Sequence, residues 1–91
     1  MSSWSCRRRS DFVLRKWGDG AVLFDDATGY LHSVTTTSAD VFDLLLCRPL
    51  WSIAALTEEL LQEYPSSTDI KMMEELLVHF LSLGLIERNS V

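Results

Sequence analysis

The stretch that decides the fold is GAVLFDDATGYLHSVTTTSADVFDLL, Gly20–Leu45. AVLFDD opens it as a short run of residues that favour strands. DDATG follows with two carboxylates and Gly29, which is turn chemistry. Tyr30–Val34 is then a second short extended run. After Val34 the period changes. Thr36, Thr37 or Ser38 can cap a helix through a side-chain oxygen. Asp40 falls in its first turn, where negative charge suits the dipole. Val41, Phe42, Leu44 and Leu45 supply an apolar face. The stretch therefore reads strand, turn, strand, helix.

Upstream, DFVLRKW (11–17) reads as another strand. GDG, Gly18–Gly20, joins it to AVLFDD as a hairpin, and a left-handed glycine is expected there. Three strands on short turns make an antiparallel meander. MSSWSCRRRS (1–10) has no period and reads as a loosely ordered segment whose Trp4 can dock on the core. Downstream, the first helix should stop near Cys47, because Pro49 disfavours helix at Arg48. A second helix starts near Ser52, with Ile53, Leu56, Leu60 and Tyr64 in one stripe, and ends at Pro65. The third begins around Ser67–Asp69 and runs to Leu83, with Gly84 as its left-handed C′ residue. It carries two apolar stripes: Ile70, Met73, Leu77, Phe80 and Leu81, and Met72, Leu76, His79 and Leu83. The fold class is α+β, a three-stranded antiparallel sheet followed by three helices in winged-helix-like packing. One domain spans 11–87, and 88–91 form a tail.

Charge is uneven along the 91 residues. Residues 1–20 hold five basic side chains against two acidic ones, and 21–91 hold three against eleven. An acidic body repels a phosphate backbone, so nucleic acid is not an expected partner. Cys6 and Cys47 are too few for a zinc site and read as reduced thiols. No signal peptide and no apolar run of membrane-spanning length is evident, which places the chain in the cytoplasm with no membrane partner.

Catalytic chemistry finds no foothold. His32 lacks a nucleophile or further ligands, and His79 lies far away on an apolar helix face. Asp25–Asp26, Glu58–Glu59 and Glu74–Glu75 read as solvated pairs, the first hydrogen-bonded to its own turn. GxSxG, HExxH, CxxC and phosphate-loop patterns are missing. The chain is expected to be no enzyme and to hold no cofactor and no metal. What remains is an open edge of the meander and the apolar face of the last helix, which make a groove for an extended peptide should the two run side by side. Strand addition uses such an edge: main-chain hydrogen bonds give affinity and side-chain pockets give specificity.

The Gly20–Leu45 block, LWSIAALTEEL (50–60) and LLVHFLSLGLIE (76–87) together resemble the PqqD-like family of peptide chaperones. Their fold is also called the precursor-peptide recognition element of ribosomally made, modified peptides. The resemblance covers roughly residues 11 to 87. Within the family the chain is similar to a branch that accompanies an HPr-kinase-related protein, through Trp4, Trp17 and the SLGLIE ending. The resemblance implies that a leader peptide adds as a strand beside Tyr30, Leu31, His32, Ser33 and Val34. It also implies a helix wall drawn from Met72, Met73, Leu76, His79 and Phe80. Val34 stands where the family often has leucine, and Thr35 where asparagine is common.

The function expected is that of a non-catalytic chaperone. It would hold a precursor peptide extended and present it to a peptide-modifying enzyme or an HPr-kinase-related protein. The alternative is a small winged-helix DNA-binding regulator, against which the third helix sets one basic residue, Lys71, beside Asp69, Glu74 and Glu75. A homodimer through the sheet edge is a third expectation.

Overall fold

The structure, a computed structural model, describes residues 2–90. Its elements run β1 (Ser2–Ser5), a 3-10 turn (Arg9–Asp11), β2 (Phe12–Trp17), β3 (Gly20–Asp25), β4 (Leu31–Val34), α1 (Thr36–Cys47), α2 (Ile53–Leu61), α3 (Ser67–Ser82) and β5 (Glu87–Ser90). β3 is the centre of a three-stranded antiparallel sheet in the order β2-β3-β4. Its alternate residues Ala21, Leu23 and Asp25 are buried, while Val22 and Phe24 on the other face are half-buried. The three helices and this sheet make the α+β fold expected. The core joins Phe12 and Leu23 from the sheet to Val41, Phe42 and Leu45 of α1, Leu56 of α2 and Met73, Leu77 and Phe80 of α3. Phe42 sits edge-on between Phe12 and Phe80, with ring centroids 5.4 and 5.5 Å away.

Several local expectations change. Residues 2–5 are not loose. β1 pairs antiparallel with β5 in a second, two-stranded sheet, and Trp4 also pairs with Trp51 through two backbone hydrogen bonds of 2.7 and 2.9 Å. Trp4 and Cys6 are buried, so the N-terminal segment belongs to the core. β5 correspondingly takes in most of the expected tail; Met1 and Val91 lie outside the described residues. The β2–β3 hairpin closes with Trp17 opposite Gly20, yet neither Gly18 nor Gly20 is left-handed.

Caps shift too. α1 is capped by Thr35, whose Oγ1 accepts from the Ser38 backbone N–H at 3.1 Å. α2 ends at Leu61, because Gln62 turns left-handed at φ 58° and donates its N–H to the Glu58 carbonyl. The position before a proline is barred from helix, so the chain leaves the helix ahead of Pro65, and Tyr64 is exposed instead of joining the stripe. α3 starts with a capping box between Ser66 and Asp69 and closes at Gly84, φ 76°.

Candidate functional site

β4 is an edge strand, and its register says which of its backbone groups are free. Gly29, left-handed at φ 78°, makes a bulge: its N–H meets the Asp25 carbonyl at 2.7 Å, and the Asp25 N–H meets the Tyr30 carbonyl at 2.9 Å. Antiparallel pairs alternate between hydrogen-bonded and open. Counting on from Tyr30, His32 (opposite Leu23) and Val34 (opposite Ala21) turn their N–H and C=O groups toward β3. Leu31 and Ser33 turn theirs outward, to the open edge. Side chains alternate as well. His32 and Val34 lie on the same face as buried Leu23 and Ala21, while Leu31 and Ser33 are exposed on the other.

A cleft of about 510 Å³ lies along this edge. Leu31, His32, Ser33 and Val34 form one wall, and His79, Phe80 and Leu83 of α3 the other; Thr35 and Ser38 close one end. His32 and His79, remote in sequence, thus share one cleft and are the only ionisable side chains lining it. A second cavity of about 320 Å³ shares Thr35 and Ser38 with the first. It runs between the helices and is lined by Val41, Leu60, Leu61, Met72, Met73 and Leu76, together with Asp69, Thr37 and the buried Thr57.

Of the ten residues singled out from the sequence, Leu31, His32, Ser33, Val34, His79 and Phe80 converge on the first cleft. Met72, Met73 and Leu76 line the second cavity. Tyr30 lines neither and stands exposed beside the bulge. Thr35, Ser38 and Leu83 were missed as lining residues. Leu83 carried a signal, its place in the stripe of His79; Ser38 was accounted for by capping alone, and Thr35 stood out only as the residue in place of a common asparagine.

One ion pair sets the two walls of the cleft against each other. Asp25, though it lies at a turn, is only 2% exposed and is no solvated carboxylate. Arg8 donates to both its oxygens, Nη1 and Nη2 each at 3.1 Å, and Nη2 also donates to the Gly84 carbonyl at 3.2 Å. The β3–β4 turn is thereby tied to the end of α3 through one planar guanidinium, whose forked geometry suits a carboxylate. The guanidinium also lies over the Phe12 ring, 5.0 Å from its centroid. The Arg8 hydrogen bonds hold the Asp25 carboxyl below its ordinary range, helped by the Thr28 side chain and the Ala27 N–H. Elsewhere, Lys16 bridges β2 to α1 through Asp40 and Asp43 at 3.1 and 3.0 Å. Burial, with the charge of Glu87 adding to it, pushes the Cys6 thiol up to about 11, which suits the reduced form it has here.

No cluster of three or more histidine, cysteine or acidic residues able to hold a metal occurs among the described residues. No helix among them is long and apolar enough to cross a membrane.

No family model matches this chain, and no curated protein matches it. Two solved structures share its fold. "TbiB1 in Complex with the TbiA(beta) Leader Peptide" superposes with a TM-score of 0.67 over 91% of this chain and 94% of its own, at 16% identity. "Lasso peptide synthetase B1 complexed with the leader peptide" superposes with a TM-score of 0.65 over 92% and 96%, at 20% identity. At these identities the likeness is one of fold.

Proposed function

We propose that this chain is a non-catalytic peptide-binding module that takes the leader of a ribosomal precursor peptide as an added strand on β4. The observation that carries the reading is the free backbone edge at Leu31 and Ser33, standing over a cleft of mixed apolar and polar lining walled by α3. Support comes also from the two proteins of like fold, each in complex with a leader peptide. Backbone pairing supplies affinity. Every second side chain of the bound strand enters the cleft, where Val34, Phe80 and Leu83 favour apolar residues and His32 and His79 offer polar contacts. The second cavity, with Met72, Met73 and Leu76, is a further pocket for the same peptide where it runs on past Thr35.

The module then presents the peptide to a modifying enzyme; the leader-bound proteins of like fold favour such an enzyme over an HPr-kinase-related partner. A homodimer through β4 would use the same edge and so compete with the leader. The DNA-binding alternative gains nothing from α3, whose one lysine, Lys71, stands among Asp69, Glu74 and Glu75. The test is a titration of the isotope-labelled protein with the leader peptide of a precursor encoded in its own gene neighbourhood. Shifts centred on Leu31–Val34, His79, Phe80 and Leu83 are expected. Shifts that spare them would remove the reading.

A further inference from the structure

The outward face of the three-stranded sheet is apolar where a water-facing antiparallel sheet is normally polar. Register sets Val13, Phe24 and Leu31 in one cross-strand row, Arg15, Val22 and Ser33 in the next, and Trp17 beside Gly20 in the third. Val13 is 46% exposed, Leu31 64% and Trp17 57%. α1 packs on β2 and β3, and the core meets the opposite face through Phe12 and Leu23. Arg15 is the one charged side chain in the three rows, and no ion pair among the described residues engages it. A contiguous apolar patch of this kind is often a functional surface on a small protein.

We propose that this face docks a folded protein partner through an apolar patch that carries a carboxylate. Two features select that occupant. Stacking a second copy on the face with the two-fold along its middle row would set Arg15 against Arg15, a like-charge contact that disfavours that dimer. Residues 21–91 hold eleven acidic side chains against three basic ones, which repel an acidic patch over most of that surface; Arg15 is the cation that admits it on this face. The face alone is small. Strand spacing and rise give it on the order of 300 Å², against about 800 Å² per partner in a standard interface. A strand added at β4 enlarges it, because every second side chain of that strand falls beside Leu31 on this same face. Docking is therefore weak for the free module and stronger with the leader bound. In this last respect the inference rests on the leader-binding reading, under which the partner is the modifying enzyme.

The probe is the purified peptide-modifying enzyme from the same gene neighbourhood, titrated by calorimetry with and without leader peptide. The intact protein should bind it, and leader should tighten the binding. Arg15→Glu and Trp17→Ser should each weaken enzyme binding about tenfold or more, as the loss of arginine and tryptophan anchors does. Both positions are exposed and away from β4, so leader affinity and the amide spectrum should hold. Variants that bind the enzyme as the original does would overturn the proposal. So would a protein that binds leader but not enzyme, or a sedimentation shift to dimer that Trp17→Ser abolishes. Enzyme binding lost with these variants in a protein that ignores the leader would uphold the docking face and sink the leader reading.

Discussion

Proline substitutions on β4 separate the edge from the ladder. Ser33 turns its N–H to the open edge, and His32 turns its own to β3. Ser33→Pro therefore removes a donor that an incoming strand would use and puts a ring in its path, while the β3–β4 bonds remain. Proline is tolerated on edge strands for this reason. The residue before it, His32, is already extended, as a position before proline prefers to be. His32→Pro does the reverse. It deletes a bond to the Leu23 carbonyl and leaves that buried acceptor unpaired.

For Ser33→Pro the loss is one backbone hydrogen bond plus an unsatisfied peptide carbonyl, together about 1–3 kcal/mol. That is a fall in leader affinity of roughly 5- to 150-fold. Folding stability should change little. For His32→Pro the same ~1–3 kcal/mol falls on folding instead, and at about 4–8 °C per kcal/mol in a domain of this size the melting temperature drops by roughly 5–20 °C. Calorimetric titration with leader peptide and a thermal melt of each variant read the two quantities separately. A Ser33→Pro protein that melts like the original and still binds leader within a factor of two would refute strand addition at β4.

Three further outcomes test the scaffold. Asp25→Asn should destabilise the protein at neutral pH. Because the folded carboxyl titrates below its ordinary 3.8, the charged-pair stability is present above the unfolded value and lost as pH falls through the folded one. Urea midpoints of the two proteins should therefore converge below about pH 4, and a gap that stays constant down to pH 2 would contradict the Arg8 clamp. Gly84→Ala meets no atom within 4 Å of the new Cβ, so it carries only the left-handed backbone strain, about 1 kcal/mol, and at about 1–3 kcal/mol/M the urea midpoint should fall by roughly 0.3–1 M. Trp4→Ala empties a buried site shared by β1, β5 and α2 and should cost about 3–5 kcal/mol; a melt that barely moves would mean that the N-terminal strand is not part of the core.

The elements that were legible in the sequence are those whose signals are local. α1 and α3 carry apolar periodicity over several turns, and the DDATG turn carries its own left-handed glycine, so their positions follow from neighbours alone. β1 has no such signal. SSWS shows one apolar residue, and its partner is the ERNS strand more than eighty residues away, so the pairing appears only once the core has brought the two ends together. Asp25 misleads for the same reason. Its turn context predicts a solvated carboxylate, and the guanidinium that buries it comes from Arg8, in a stretch with no period. The two stripes of α3 were legible as stripes. Their division between two cavities was not, because the divider is the Thr35–Ser38 cap of α1: Ser38 already had a local explanation, and Thr35 lies one residue before the run that reads as capping.

The AVLF run held a signal of another kind. A strand that shows water one face should alternate, and Ala21–Phe24 does not. Its apolar side chains go to both faces of β3: Ala21 and Leu23 into the core, Val22 and Phe24 outward beneath Val13, Leu31 and Trp17. A continuous apolar run in the central strand of so small a sheet implies a cover on each side. α1 and the core supply one within the chain. On the docking proposal the other comes from a partner, and the proposed peptide edge and the outer face of the sheet, meeting at Leu31, then form one surface completed by partners.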